Sequence, residues 1–101
     1  MKRILVCCAA GLSTGMVVNR MRQAAEQHNI AVELNAAGIN AFTETFSHYD
    51  CCLLGPQVKT HLEACRAQAA SSQIPVSVIN AMDYGMMRGD KILADALALL
   101  A

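Results

Sequence analysis

The sequence predicts an α/β fold, a doubly wound parallel sheet of four strands flanked by helices. Short apolar runs alternate with segments of helical period, as in a chain that crosses over between parallel strands. The first run, Ile4-Leu5-Val6-Cys7, is apolar at successive positions, as a strand covered on both faces must be. Small-residue turns, Cys8–Gly15 above all, join strands directly to helices. A length of 101 residues suits one domain, residues 1–101, since domains usually run to about 100–150 residues. No linker, repeat or low-complexity segment divides it.

Lys2–Cys7 reads as the first strand. A helix beginning at Ser13 or Gly15 runs to His28, with Val17, Met21, Ala24 and His28 on one face. Ile30–Asn35 alternates as a second strand. Asn40–Tyr49 is read as a short helix, and Asp50–Leu54 as a third strand ended by Gly55-Pro56. A helix over Gln57–Ala70 presents Val58, Leu62, Cys65 and Ala69. Pro75 opens a fourth strand, Val76–Asn80, and Gly89–Leu100 is a final helix with its stripe drawn from Ile92, Leu93, Ala96, Leu97 and Leu100.

Composition excludes several functions. Eight Lys and Arg balance eight Asp and Glu, so the basic face of a nucleic-acid or anionic-membrane binder is missing. Hydrophobic residues are 54% and charged residues 16%, which excludes disorder. Aromatics are 4% with no Trp, too few for a base- or sugar-stacking platform. The longest apolar run, Ile4–Ala10, is far short of the roughly 20 residues that span a bilayer. Preceded by Lys2-Arg3, it is also too compressed for a signal peptide of roughly 15–30 residues. A cytoplasmic protein without membrane insertion is expected. The five cysteines (Cys7, Cys8, Cys51, Cys52, Cys65) are an odd number with two adjacent pairs, poorly suited to disulfides, and no spacing suggests zinc. Neither metal nor cofactor is expected, and four of the thiols read as small buried hydrophobes.

Ligands of open α/β sheets gather beyond the carboxyl ends of the strands. That selects the loops Cys8–Gly15, Gly55–Gln57 and Ala81–Gly89. In Cys8-Ala9-Ala10-Gly11-Leu12-Ser13-Thr14-Gly15 the small residues let backbone N–H groups converge, and the helix that follows adds its free N–H groups and dipole. The result is an anion cradle. A thiol at its mouth should ionise more readily, and Ser13 and Thr14 can cap the helix or donate to an anion. The expected chemistry is attack by the Cys8 sulfur on a phosphoryl group. Cys7 continues the buried strand, whereas Cys8 has Gly11, Ser13 and Thr14 correctly spaced after it. The sixth residue after Cys8 is Thr14, where a cysteine-dependent phosphatase would carry an Arg clamp, and no basic residue occurs before Arg20. Neutral donors suit a relay that must release its phosphoryl group. A cysteine-dependent hydrolase or reductase and a non-catalytic anion-binding module are the competing readings.

The segment Cys8–Thr14 resembles the phosphorylation loop of the IIB components of the bacterial phosphoenolpyruvate-dependent sugar phosphotransferase system, of the lactose/cellobiose type. Leu53-Leu54-Gly55-Pro56-Gln57-Val58 is similar to the segment closing that family's third strand, and Tyr84-Gly85 with Gly89 to its turn before the last helix. The likeness spans the chain. Leu12 stands where many relatives have Met, Gly15 where Ser or another residue is common, and Cys7 is an extra thiol. The resemblance implies a fold similar to low-molecular-weight tyrosine phosphatase. It also implies a sugar phosphotransferase role, in which a IIA phosphohistidine would load Cys8. Cys8 would then pass the phosphoryl group to a sugar on the membrane component IIC.

Gln57 is a candidate for the pocket lining, and Tyr84 for packing over the loop or meeting a partner. His28, His48 and His61 read as surface or cap residues, and Asp83 as a turn residue. The methionines are expected to fill core or interface, with Met86-Met87 a possible docking patch if exposed.

Overall fold

The computed structural model describes residues 1–9 and 12–101. Four strands, β1 (Lys2–Cys8), β2 (Val32–Gly38), β3 (Cys51–Leu54) and β4 (Val76–Val78), form one parallel sheet in the order β2-β1-β3-β4. Among the described residues α1 (Leu12–Gln27), α2 (Phe42–Thr45) and α3 (Leu62–Ala69) lie between strands, and α4 (Ala81–Gly85) and α5 (Gly89–Leu100) follow the last one.

Strand alternation divides the core between the two faces of the sheet. Ile4, Val6, Cys51 and Leu53 pack with Val17, Val18 and Met21 of α1 and Ile92, Leu93 and Ala96 of α5. Leu5, Cys7, Cys52 and Leu54 pack on the other side with Phe42, Val58, Cys65 and Ala69. The two central strands are therefore apolar at every buried position, because each successive side chain meets a different helical layer.

Three helical segments end in the same way. Asn29, Gln73 and Met87 are left-handed, with φ of 55°, 57° and 52°. The next amide in each case reaches back five residues: Ile30 N–H to the Ala25 carbonyl, Ile74 to Ala69 and Arg88 to Asp83. This cap satisfies end carbonyls and turns the chain sharply into the next element. It explains why β2 starts at Val32 and not at Ile30, which closes the helix cap. The pairing of Ala36, Ala37 and Gly38 with Val6, Cys7 and Cys8 carries β2 beyond Asn35.

Several expected elements differ. Asn40–Tyr49 is not one helix: α2 spans only Phe42–Thr45, between tight turns at Ile39–Ala41 and Phe46–His48. The helix expected from Gln57 opens as a tight Pro56–His61 segment broken at Val58 (φ −118°, ψ 24°), and regular α-helix begins at Leu62. β4 stops at Val78, and the expected loop Ala81–Gly89 contains α4. His28 leaves the face of α1 and is exposed, while Val18 and Ala25 are buried.

α1 begins at Leu12, so Gly15 lies within the helix. A Cβ built there meets no atom within 4 Å. Gly15→Ala should stabilise the protein by about 0.5–1 kcal/mol, the usual cost of glycine inside a helix. Urea unfolding measures it, and a loss of stability would contradict an open position.

Candidate functional site

From β1 the chain turns to one side to form β2 and then crosses to the other to form β3. The carboxyl ends of β1 and β3 thus flank the point where the winding reverses, where this architecture places its ligands. Cys8 is the last residue of β1, and Gly55 follows β3 directly. The Gly55 amide donates to the Cys7 carbonyl at 2.7 Å and draws the two strand ends together.

Gly55 marks a tight convergence. A methyl group at this position would lie 2.9 Å from Gln57 Oε1, 3.3 Å from Cys8 Cβ and 3.4 Å from Tyr84 Cε2. The absent side chain is what allows Cys8, Gln57 and Tyr84 to share one small volume. Tyr84 is buried on α4, and its hydroxyl shares a 3.1 Å hydrogen bond with Thr14 Oγ1. Thr14 is fully buried within the first turn of α1, so it is not a cap residue before the helix, and its hydroxyl reaches across to Tyr84 of α4. Of the remaining loop candidates, Ala9 is exposed, Leu12 opens α1 with Ser13 following, and Ala10 and Gly11 lie outside the described residues.

Cys8 sits in strand β1, opposite Gly38 of β2, and not in the loop beyond it. It is buried, and alternation turns it away from the face that holds Cys7. Cys7 is fully buried among Leu5, Phe42 and Cys52. Burial, assisted by the nearby Cys65 and Cys8 thiols, pushes Cys7 up to about 12. Burial also lifts Cys52 to about 12 and Cys51 to about 11, and raises Cys65. These four are packing thiols held in their neutral form.

Their burial has a consequence for stability. Thiols that ionise near 9.0 when unfolded stay protonated in the native state until about 11 or 12. Their contribution is therefore complete below pH 9 and is lost as pH rises towards 12, by roughly 1 kcal/mol per thiol per pH unit. Urea midpoints should fall steeply between pH 9 and 10.5, and less steeply in Cys52→Ala. Identical slopes in the two proteins would contradict this.

Sequence reasoning missed α4 and its supports. The Asn80 side chain accepts hydrogen bonds from the Met82 and Asp83 amides at 2.9 and 3.1 Å, an N-cap that Asn followed by a helical stretch could have signalled. Asp83 is buried and pairs with Arg88 at 3.6 Å and Lys91 at 3.7 Å, bracing α4 against the start of α5. Asn40 was missed too: its Oδ1 lies 2.8 Å from the Cβ position of Gly38, at the carboxyl edge beside Cys8. His28, His48 and His61 are exposed, as are Met16, Met82 and Met86, whereas Met21 is core and Met87 packs against it. A cavity of about 400 Å³ between β4 and α5, lined by Ile79, Lys91 and Asp95 among others, does not include Cys8. Among the described residues no group of His, Cys, Asp and Glu could hold a metal, and no helix is long and apolar enough to cross a membrane.

Residues 3–95 match the family model described as the lactose/cellobiose-specific IIB subunit of the phosphotransferase (PTS) system. The chain is 39% identical over 104 residues to the galactose-specific EIIB component of Lactococcus lactis subsp. cremoris (strain MG1363), covering 98% of this chain and 96% of that one. It is 32% identical over 65 residues, 64% of this chain, to 11% of the lactose-specific EIICB component of Lactococcus lactis subsp. lactis. Among solved structures, the lactose-specific IIB domain from Streptococcus pneumoniae superposes with a TM-score of 0.90 over 99% of this chain and 98% of that one. At 22% identity that likeness speaks for the fold.

Proposed function

The chain belongs to the lactose/cellobiose-specific IIB family of the sugar phosphotransferase system, and from that premise we propose that Cys8 is its phosphoryl-carrying residue. A IIB component of this type is a sugar phosphotransferase that works between a IIA and a IIC component. In the first step the Cys8 thiolate attacks a IIA phosphohistidine; a P–S bond forms as the P–N bond breaks and the histidine leaves neutral. In the second a sugar hydroxyl held by IIC attacks the same phosphorus. The P–O bond forms, the thiolate leaves, and the hydroxyl proton goes to a base on the IIC side.

One observation carries the assignment: four of the five thiols are buried packing residues held neutral, while Cys8 ends β1 where the winding reverses, beside Gly55, Gln57 and Tyr84. In the proposal the Ala9–Gly15 segment supplies backbone N–H donors and the positive end of α1 to the phosphoryl oxygens. Gln57 adds a neutral side-chain donor. Gln57, Tyr84 and Thr14, described near Gly55 and Cys8, are uncharged, and neutral donors hold a phosphoryl group without the ionic clamp that would retain it. The sulfur is an adequate leaving group because a thiolate needs no proton to depart.

IIA and IIC must approach one sulfur, so they dock in turn on one face. Exposed Met16 on α1, Met82 on α4 and Met86 directly after α4 would give that face an adaptable apolar rim. Weak, rapidly exchanging contacts suit such a relay. The test is a reconstituted chain of phosphoenolpyruvate, the general phosphotransfer proteins, a lactose-type IIA and this protein. Phosphate should load to one equivalent and leave on adding IIC membranes with sugar. Failure to load from several lactose-type IIA donors would remove the proposal, as would steady release of inorganic phosphate by this protein alone.

A further inference from the structure

Among the described residues a buried polar contact joins distant parts of the chain close to the proposed carrier. Thr14 and Tyr84 are 70 residues apart, both buried, and their hydroxyls share a hydrogen bond of 3.1 Å. Neither hydroxyl is needed for burial. A Phe or a Val of similar shape would fill the same space without bringing a polar atom out of water. What the pair does is fix one element relative to another.

α4 is capped at its start by Asn80, closed at its end by the Arg88 amide on the Asp83 carbonyl, and braced through Asp83 by Arg88 and Lys91. Its Tyr84 ring packs in the core shared by α1 and α5 and reaches the Cβ position of Gly55, 3.4 Å away. Thr14 lies in the first turn of α1, which follows Cys8 closely in the chain. From this we infer that Tyr84 is a positioning residue for phosphoryl transfer: through Thr14 it sets the first turn of α1, and with it the amide donors, against the Cys8 sulfur. The inference rests on Cys8 being the carrier, and it gives Thr14 a role through Tyr84 in place of direct contact with the phosphoryl group.

The experiment compares Tyr84→Phe, Thr14→Val, Thr14→Ser and the Phe/Val double variant in transfer from phosphorylated IIA. Single-turnover rates are followed over a range of donor concentrations, with thermal unfolding of each protein alongside. Tyr84→Phe and Thr14→Val should each slow transfer at saturating donor by roughly tenfold or more, the order expected when a reacting geometry is displaced by a fraction of an ångström. The half-saturating donor concentration should stay as in the parent, since both side chains are buried and offer the donor no surface. The double variant should be no slower than either single one, and Thr14→Ser, which keeps the hydroxyl, should recover the parent rate. A parent-like rate in Tyr84→Phe with a slow Thr14→Val would overturn the inference and make Thr14 a direct ligand. Independent, multiplying effects would overturn it as well, as would a Thr14→Ser as slow as Thr14→Val. If the parent protein carries its phosphate away from Cys8, the proposed function itself fails. If phosphate is on Cys8 and Tyr84→Phe is unchanged, only the positioning role falls.

Discussion

Cys8→Ala should yield a folded protein that accepts no phosphate and supports no sugar phosphorylation, with activity down by at least about a thousandfold. The size follows from the chemistry: a carrier without its nucleophile has no covalent intermediate, and the neighbouring donors have nothing to hold. Stability should change little, by about 1 kcal/mol or less, because only one sulfur is removed at a strand end. Cys7→Ala is the matched control. It takes a thiol from the adjacent position but from the opposite face, where burial keeps it neutral with a pKa pushed up to about 12. It should transfer at close to the parent rate. A Cys8→Ala protein that still loads phosphate while Cys7→Ala does not would reverse the assignment, and radiolabel transfer from phosphorylated IIA reads both.

Gly89→Ala should be the most damaging single change to the fold. A Cβ there would stand 2.4 Å from the Arg20 carbonyl carbon, 2.5 Å from its oxygen and 2.6 Å from the Met21 nitrogen. All three are backbone atoms of α1, so no side chain can turn aside to make room. α5 would have to lift from α1, and Ile92, Leu93 and Ala96, all buried against that helix, would lose their packing. A loss of about 3 kcal/mol or more is expected, at the upper end of overpacking effects. In a domain of about 100 residues that lowers the melting temperature by roughly 12 °C or more. A calorimetric scan tests it, and a shift of only a degree or two would show that the helices separate freely.

The sequence was most informative where one physical rule acted alone. Uninterrupted apolarity in Ile4–Cys7 declared a strand covered on both faces, and the stripe Ile92, Leu93, Ala96 located α5 with its bounds. The small-residue turn after Cys8 pointed to the carboxyl end of β1, beside which the winding of the sheet reverses. Reading failed where tertiary pairing overrode local pattern. β2 runs on through Ala36, Ala37 and Gly38 because β1 offers them partners, not because these residues favour strand. The left-handed caps at Asn29, Gln73 and Met87 involve residues other than glycine, so the usual glycine signal was missing. At the site, Gln57 and Tyr84 were named from the sequence, but their meeting with Cys8 across the missing side chain of Gly55 is a property of the assembled sheet. The Thr14–Tyr84 bond joins residues too far apart in the chain for any local pattern to reveal. Gly89 was legible as a turn residue, while its reason, backbone contact with α1, required the packed helices.

The central claim is that one sulfur, that of Cys8, carries the phosphoryl group, and mapping the phosphate by tandem mass spectrometry tests it most directly. Trypsin should release Ile4–Arg20, which holds both Cys7 and Cys8, so the mapping is best done on loaded Cys7→Ala protein as well as on the parent. The account predicts a phosphate on this peptide in both proteins, with fragments placing it on Cys8, and its disappearance after a chase with IIC membranes and sugar. Phosphate on Cys7, on a histidine or on any of the other three thiols would contradict it.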